Sequence, residues 1–297
     1  MLTFRNLGYV GNGCDRQQLD LYLPDDRHPV RPLVVWIHGG AWWAGSKDEC
    51  PAQVLVACGY AVASVGYRLS HQEHFPAQLE DCKAAIRWLR AQGADYGIDP
   101  QRIGVWGESA GGHLAALLGT TGGLREYDVG EHLDQPSRVQ CVVDFYGPAN
   151  FLHWGGPEHP PMESPESGVY RLLGGPVSQH RDRARLASPL YHVDSHSAPF
   201  LILHGNQDEI VPLPQSQGLH AALTKAGVES TLSIVEAAGH GGPCFTTPEN
   251  LKRIADFLDR HLGRSGSDHM ISRTVLDQRK LSRAPVASNL RKERTYK

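Results

Sequence analysis

Hydrophobic positions along the chain follow two alternating rhythms. Gln18–Leu23 (QLDLYL) alternates polar and apolar residues, the period of a strand buried on one face. Pro32–His38 (PLVVWIH) and Tyr60–Tyr67 (YAVASVGY) are continuous apolar runs, as in strands covered on both faces. Ala77–Ala91 sets Leu79, Cys82, Ala85, Ile86 and Leu89 at helical spacing. Asp81, Lys83 and Arg87 are expected on the solvent side of that helix, and Lys47, Asp48 and Glu49 in a solvated loop. Arg102–Trp106 reads as a short strand and Ser109–Gly119 as a packed helix of small apolar residues. Val139–Phe145, Phe200–His204 and Thr231–Val235 read as further strands, Pro214–Ala226 and Pro248–His261 as helices. Strand and helix in alternation predict an α/β fold, a parallel sheet with helices on both faces. The rhythm breaks from Ala149 to Asp194. An insertion of roughly 45 residues rich in Pro, Gly and His predicts a lid or binding loop.

Chemistry concentrates where strands end. Gly107-Glu108-Ser109-Ala110-Gly111 is a G-x-S-x-G between a strand and a helix, the context in which a nucleophilic serine sits on a sharp turn. Side chains two residues either side of that turn would collide, hence the glycines. His38-Gly39-Gly40-Ala41-Trp42-Trp43 follows the PLVVWIH strand. Acyl transfer creates an oxyanion that needs backbone N–H groups aimed at one point. Gly40, Ala41 and Ala110 are the expected donors, with His38 bracing the loop. A serine needs a base, and the base an orienting carboxylate. Asp208 follows the Phe200–His204 strand and His240 follows the Thr231–Val235 strand. Both fall where an open parallel sheet gathers its site. Glu209 is the rival acid. The pairs His71/His74 and Glu158/His159 carry ligand-type residues without an HExxH spacing, so no metal is expected.

Charge separates two regions. Residues 264–297 hold nine Lys/Arg against three Asp/Glu, a net +6 within a chain of net −3. The expected organisation is a catalytic domain over residues 1–263, with 149–194 as its insertion, followed by a basic C-terminal appendage. The acidic remainder argues against nucleic acid as the main partner. No run of 18 apolar residues occurs, which predicts no membrane-spanning helix. The N-terminus lacks a basic end followed by an apolar stretch, and the six cysteines lack CxxC spacing. Both features fit a cytoplasmic protein with reduced thiols.

Taken together these pieces resemble the α/β-hydrolases, specifically the hormone-sensitive-lipase-like and feruloyl/acetylxylan-esterase-like branch. The resemblance rests on DLYLP (20–24), HGGAWWAGSK (38–47), GYRLS (66–70), FPAQLEDCKAAIRWLR (75–90), YGIDPQRIGVWGESAGGHLAALLG (96–119), SPLY (188–191), HGNQDEIVPLPQS (204–216) and AGHG (238–241). It implies an eight-stranded, mainly parallel sheet, a Ser109–His240–Asp208 triad and carboxylic-ester hydrolysis without a cofactor. Two positions depart from the family pattern: Ala41 stands where a third oxyanion glycine is common, and Glu108 where many relatives have Asp. Residues 264–297 match nothing in it. The insertion is expected over Ser109. Trp42, Trp43, Trp154 and Phe245 are candidate substrate-binding side chains, with Phe151, Tyr170, Leu172 and Leu173 as further apolar wall; core packing is the competing reading for each. The first expectation for the substrate is a small short-chain or aromatic ester. The alternatives are a feruloyl/acetylxylan-type ester of plant polysaccharide, an arylformamide, and a ligand receptor without turnover. Oligomeric state is not legible in the sequence.

Overall fold

The computed structural model describes residues 1–11, 13–25, 30–155 and 162–263. The basic segment 264–297 and the Glu158/His159 pair lie outside the described residues.

The apolar runs become strands at the centre of one sheet. In chain order the strands are β1 (Leu2–Gly8), β2 (Gln18–Leu23), β3 (Arg31–Ile37), β4 (Ala61–Val65), β5 (Ile98–Glu108), β6 (Cys141–Phe145), β7 (Phe200–Gly205) and β8 (Ser230–Val235). Their spatial order is β1-β2-β4-β3-β5-β6-β7-β8. β1–β2 and β2–β4 pair antiparallel, and every other pair is parallel. The helices are α1 (Ala77–Gln92), α2 (Ala110–Thr120), α3 (Gly168–Leu173), α4 (Arg181–Leu186), α5 (Pro214–Lys225) and α6 (Pro248–Leu262). Apolar residues fill a cluster on each face of the sheet: Leu33, Val35, Leu114 and Leu117 in one, Val34, Trp36, Trp106 and Leu258 in the other. This is the α/β-hydrolase fold, with an eight-stranded, mostly parallel sheet flanked by helices. No described helix is long and apolar enough to cross a membrane.

One strand is added to the sequence reading and three expectations are corrected. β1 alternates apolar and polar residues only from Leu2 to Arg5, and as an edge strand it leaves most of its residues exposed. β2 is not half-buried: Leu19 to Leu23 are all buried, including Asp20. Burial raises the Asp20 pKa, but hydrogen bonds from Lys47 Nζ (2.7 Å), the Asn6 N–H (2.9 Å) and Arg5 (2.6 Å) outweigh it and hold the carboxylate below its ordinary value. Lys47 is therefore a buried partner rather than a solvated loop residue. Asp81, Lys83 and Arg87 are buried as well. Lys83 Nζ donates to the carbonyls of Thr121 and Leu124, both at 2.8 Å, and Arg87 Nε to that of Glu131 at 3.1 Å. Both cations face Asp128, while Asp81 accepts from Arg68 and Gln17. The connection between α2 and β6 thus covers the polar side of α1, and burial there lowers the Lys83 pKa to about 8.

The insertion is rooted in the core. Gln215 of α5 spends its whole side-chain amide on it. Oε1 accepts from the N–H groups of Ala149 (2.8 Å) and Asn150 (2.7 Å), and Nε2 donates to the carbonyls of His153 (2.8 Å) and Trp154 (2.7 Å). Phe151, Leu172 and Leu173 are fully buried. They are core residues rather than a pocket wall.

Candidate active site

The turn from β5 to α2 carries Ser109 in a strained conformation, φ 53° and ψ −118°. Its N–H donates to the Phe145 carbonyl (2.8 Å), and its carbonyl accepts from His113 N–H (2.9 Å). A Cβ at Gly107 would overlap the Gly111 carbonyl, and one at Gly111 the Ile37 carbonyl. Any side chain here would push the turn apart.

β7 and β8 deliver the remaining two groups. His240 Nε2 lies 2.8 Å from Ser109 Oγ, and its Nδ1 lies 2.7 Å from Asp208 Oδ2. Asp208 Oδ1 accepts the N–H groups of Ile210 and Val211, both at 2.9 Å. Serine, imidazole and carboxylate, predicted from three separate strand ends, therefore form one hydrogen-bonded chain. Glu209 is exposed, and His240 pairs with Asp208 instead.

Two neighbours of this chain were not singled out in the sequence. His204 is fully buried at the end of β7. Its Nε2 sits 2.8 Å from the Val211 carbonyl and 3.2 Å from Asp208 Oδ2. Two acceptors at one nitrogen require a proton there, so His204 Nε2–H donates. Its Nδ1 meets the Ser216 hydroxyl at 2.7 Å. Burial alone would raise the Asp208 pKa, but hydrogen bonds from His204 and His240 hold it well below the ordinary carboxylate range. Tyr146, at positive φ just after β6, packs its ring edge-on to His240 with centroids 4.7 Å apart. Its hydroxyl donates to Glu108 Oε2 at 3.0 Å, and burial keeps that carboxyl above its ordinary pKa despite the bond.

The loop after β3 faces the serine. A Cβ at Gly39 would touch the Ser109 side chain at 3.4 Å. Gly40 has φ 106°, and its carbonyl accepts Trp43 and Ala44 N–H, closing a tight turn. Ala41 follows at φ 51°, a left-handed conformation that the common glycine would adopt without strain. The N–H groups of Gly40, Ala41 and Ala110 have no acceptor among the described residues. His38 braces this loop. Arg16 donates to its Nε2 (3.3 Å), which puts the proton on Nδ1, donated to the Gly39 carbonyl (2.7 Å). Burial pushes this imidazole down to about 4, so it stays neutral.

The substrate-binding candidates separate. Trp42 is buried and donates through Nε1 to His113 Nδ1 at 3.1 Å. Phe245 is buried against Phe145 and Tyr146. Both are packing residues, because the core on either side of the sheet closes over them. Trp154 is half-buried and stacks on Phe151. Trp43 alone of the four is exposed, at 48%.

A family model described as BD-FAE matches residues 19–223. The chain belongs to the BD-FAE family. Among solved structures, this BD-FAE protein superimposes on a "truncated form of carbohydrate esterase from gut microbiota" with a TM-score of 0.82 and 31% identity, covering 89% of this chain and 97% of that one. An "acetyl ester-xyloside bifunctional hydrolase" from Caldicellulosiruptor lactoaceticus matches with a TM-score of 0.70 and 28% identity, over 84% of this chain and 89% of that one. Among curated proteins, Esterase LipQ of Mycobacterium tuberculosis is 32% identical over 86% of this chain. The chain spans 62% of the length of that relative. The chain shares with these esterases the α/β-hydrolase fold, and its serine, histidine and aspartate stand in one hydrogen-bonded chain.

Proposed function

We propose that this esterase removes acyl groups from carbohydrate esters, acetyl or feruloyl in kind, through a covalent intermediate on Ser109. Ser109 Oγ attacks the ester carbonyl as His240 Nε2 takes its proton. Asp208 holds the resulting imidazolium, and His204 holds Asp208 in place. Gly40, Ala41 and Ala110 donate to the oxyanion. His240 then returns the proton to the departing sugar oxygen, leaving an acyl-serine. Water, deprotonated by the same imidazole, attacks the acyl-serine and regenerates the serine. The start of α3 covers the oxyanion loop: a Cβ at Gly168 would sit 2.9 Å from the Ala41 Cβ.

One observation favours this substrate class over the small diffusible esters expected first. The carbohydrate esterase from gut microbiota shares this fold over nearly the whole of both chains. Similarity to LipQ supports a second reading, a carboxylesterase of simple acyl esters. The deciding experiment compares kcat/KM on acetylated xylo-oligosaccharides, methyl ferulate and the 4-nitrophenyl esters from butyrate to palmitate. The proposal predicts that an acetylated oligosaccharide or methyl ferulate exceeds 4-nitrophenyl butyrate by about tenfold or more, a difference of roughly 1.4 kcal/mol in transition-state binding. A preference for butyrate or longer chains selects the second reading.

A further inference from the structure

Beyond the oxyanion loop a cavity of about 230 Å³ opens between that loop, the segment after β4 and α3. Trp43, Ser70, His71, His74, Tyr170 and Arg171 line it. Its size is below the roughly 300 Å³ at which pockets for drug-sized ligands begin, so it suits one ring rather than a chain.

Three features mark it as built for a ligand. First, the exposed Trp43 indole is held flat by Arg171, whose guanidinium carbon stands 4.0 Å from the ring centroid. Arg171 is itself anchored by Nε to the Pro165 carbonyl at 2.9 Å, which leaves its terminal nitrogens for another partner. Second, the Ser70 hydroxyl is buried with no hydrogen-bond partner among the described residues. A buried hydroxyl left unpaired costs stability, and a ligand oxygen in the cavity would satisfy it. Third, both walls are tied to the catalytic loop. Ser70 N–H donates to the Trp42 carbonyl at 2.7 Å, and Trp43 N–H to the Gly40 carbonyl at 3.1 Å.

We infer that this cavity is a sugar subsite, taking one pyranose ring of the carbohydrate ester whose acyl group reacts at Ser109. A pyranose presents an apolar C–H face and a rim of hydroxyls. The indole matches the first, as aromatic faces match flat apolar partners. The Ser70 hydroxyl, the two imidazoles and the guanidinium match the second. The Arg171 stack fixes the indole before binding, so little side-chain freedom is lost on association. The inference rests on the carbohydrate-ester reading above and adds where the sugar lies.

The test measures kcat/KM for acetylated xylotetraose and for 4-nitrophenyl acetate in the full chain, with wild type, Trp43→Ala and Ser70→Ala. It also measures inhibition of 4-nitrophenyl acetate hydrolysis by unacetylated xylotetraose. The subsite predicts that the oligosaccharide-to-nitrophenyl ratio falls about tenfold or more in Trp43→Ala and about threefold in Ser70→Ala, with inhibition by xylotetraose weakened in parallel. Ratios within twofold of wild type in both variants, in an enzyme that prefers the oligosaccharide ester, overturn the subsite alone. A wild type that neither prefers the oligosaccharide ester nor is inhibited by xylotetraose overturns the substrate reading and the subsite together.

Discussion

In the proposed mechanism Ser109 depends on a carboxylate that stays ionised while buried, and four donors surround Asp208. Two backbone N–H groups hold one oxygen, and His240 and His204 approach the other. A hydrogen bond to a charged group contributes about 1.5–3 kcal/mol, or roughly ten- to a hundredfold in rate. His204→Ala is therefore expected to lower kcat/KM by that factor and to move the acidic limb of the pH–rate profile upward. Without the His204 donor, Asp208 turns its full charge on the His240 imidazolium. His204→Gln, which keeps an N–H near Nε2, should restore part of the rate and return the limb toward wild type. An unchanged limb in His204→Ala would assign His204 to packing alone. Ser109, Asp208 and His240 were legible because each stands in a short motif at a strand end. His204 stands in the same HGNQD motif, four residues before the acid, but sequence spacing does not show that its ring turns back onto Asp208. Tyr146 was hidden for a different reason: only its positive φ aims it at His240.

At the scale of elements, the β5–α2 turn tolerates no added atoms. Gly107→Ala drives a methyl into the Gly111 carbonyl. It is expected to destabilise the protein by at least about 3 kcal/mol, within the range reserved for named steric faults. Gly123→Ala, with no described atom within 4 Å of its added Cβ, is the matched control. It should stay within about 0.5 kcal/mol of wild type, and urea melts of the pair measure the difference. α1 shows where pattern reading fails. Its apolar stripe was read correctly, but its charged side was assigned to solvent. Lys83 and Arg87 are instead sealed beneath residues 121–138 around Asp128. No periodicity encodes which loop closes over a helix. Asp128→Asn leaves two buried cations without their counter-charge, and a loss of about 3–5 kcal/mol in urea melts is expected. A loss under 1 kcal/mol would mean the backbone carbonyls alone satisfy the pair.

Across the whole molecule, buried titratable groups set the acid limit of stability. Burial lowers His38 and His113 from an ordinary 6.5 to about 4. The unfolded chain binds those protons first, so their contribution is complete above about pH 6.5 and is lost as pH falls toward 4. Burial acts oppositely on Asp144, raising it from 3.8 to about 6, so its contribution is lost as pH rises through that window. The two histidines contribute a loss of stability as pH falls from roughly 6 to 4, and the raised carboxyls of Asp144, Glu80 and Glu108 oppose it. The depressed Asp208 adds a loss only below the ordinary carboxylate range. His113 joins Trp42 Nε1 to the Ala187 carbonyl. His113→Gln is thus expected to cost about 1–3 kcal/mol at pH 7 and to reduce the loss on acidification, as read by urea melts at pH 7, 6 and 5. The parallel sheet was legible as a whole because strands buried on both faces write continuous apolar runs. The edge strand β1 was not, because most of its residues are exposed. In the proposed reaction Ser109 carries the acyl group of a carbohydrate ester. The most direct measurement is acetate release from acetylated xylotetraose by wild type and Ser109→Ala at equal folded concentration. Turnover by wild type is expected, with a loss of about 10⁴-fold or more in the variant and an unchanged melting temperature. Turnover by Ser109→Ala within tenfold of wild type would contradict that reaction.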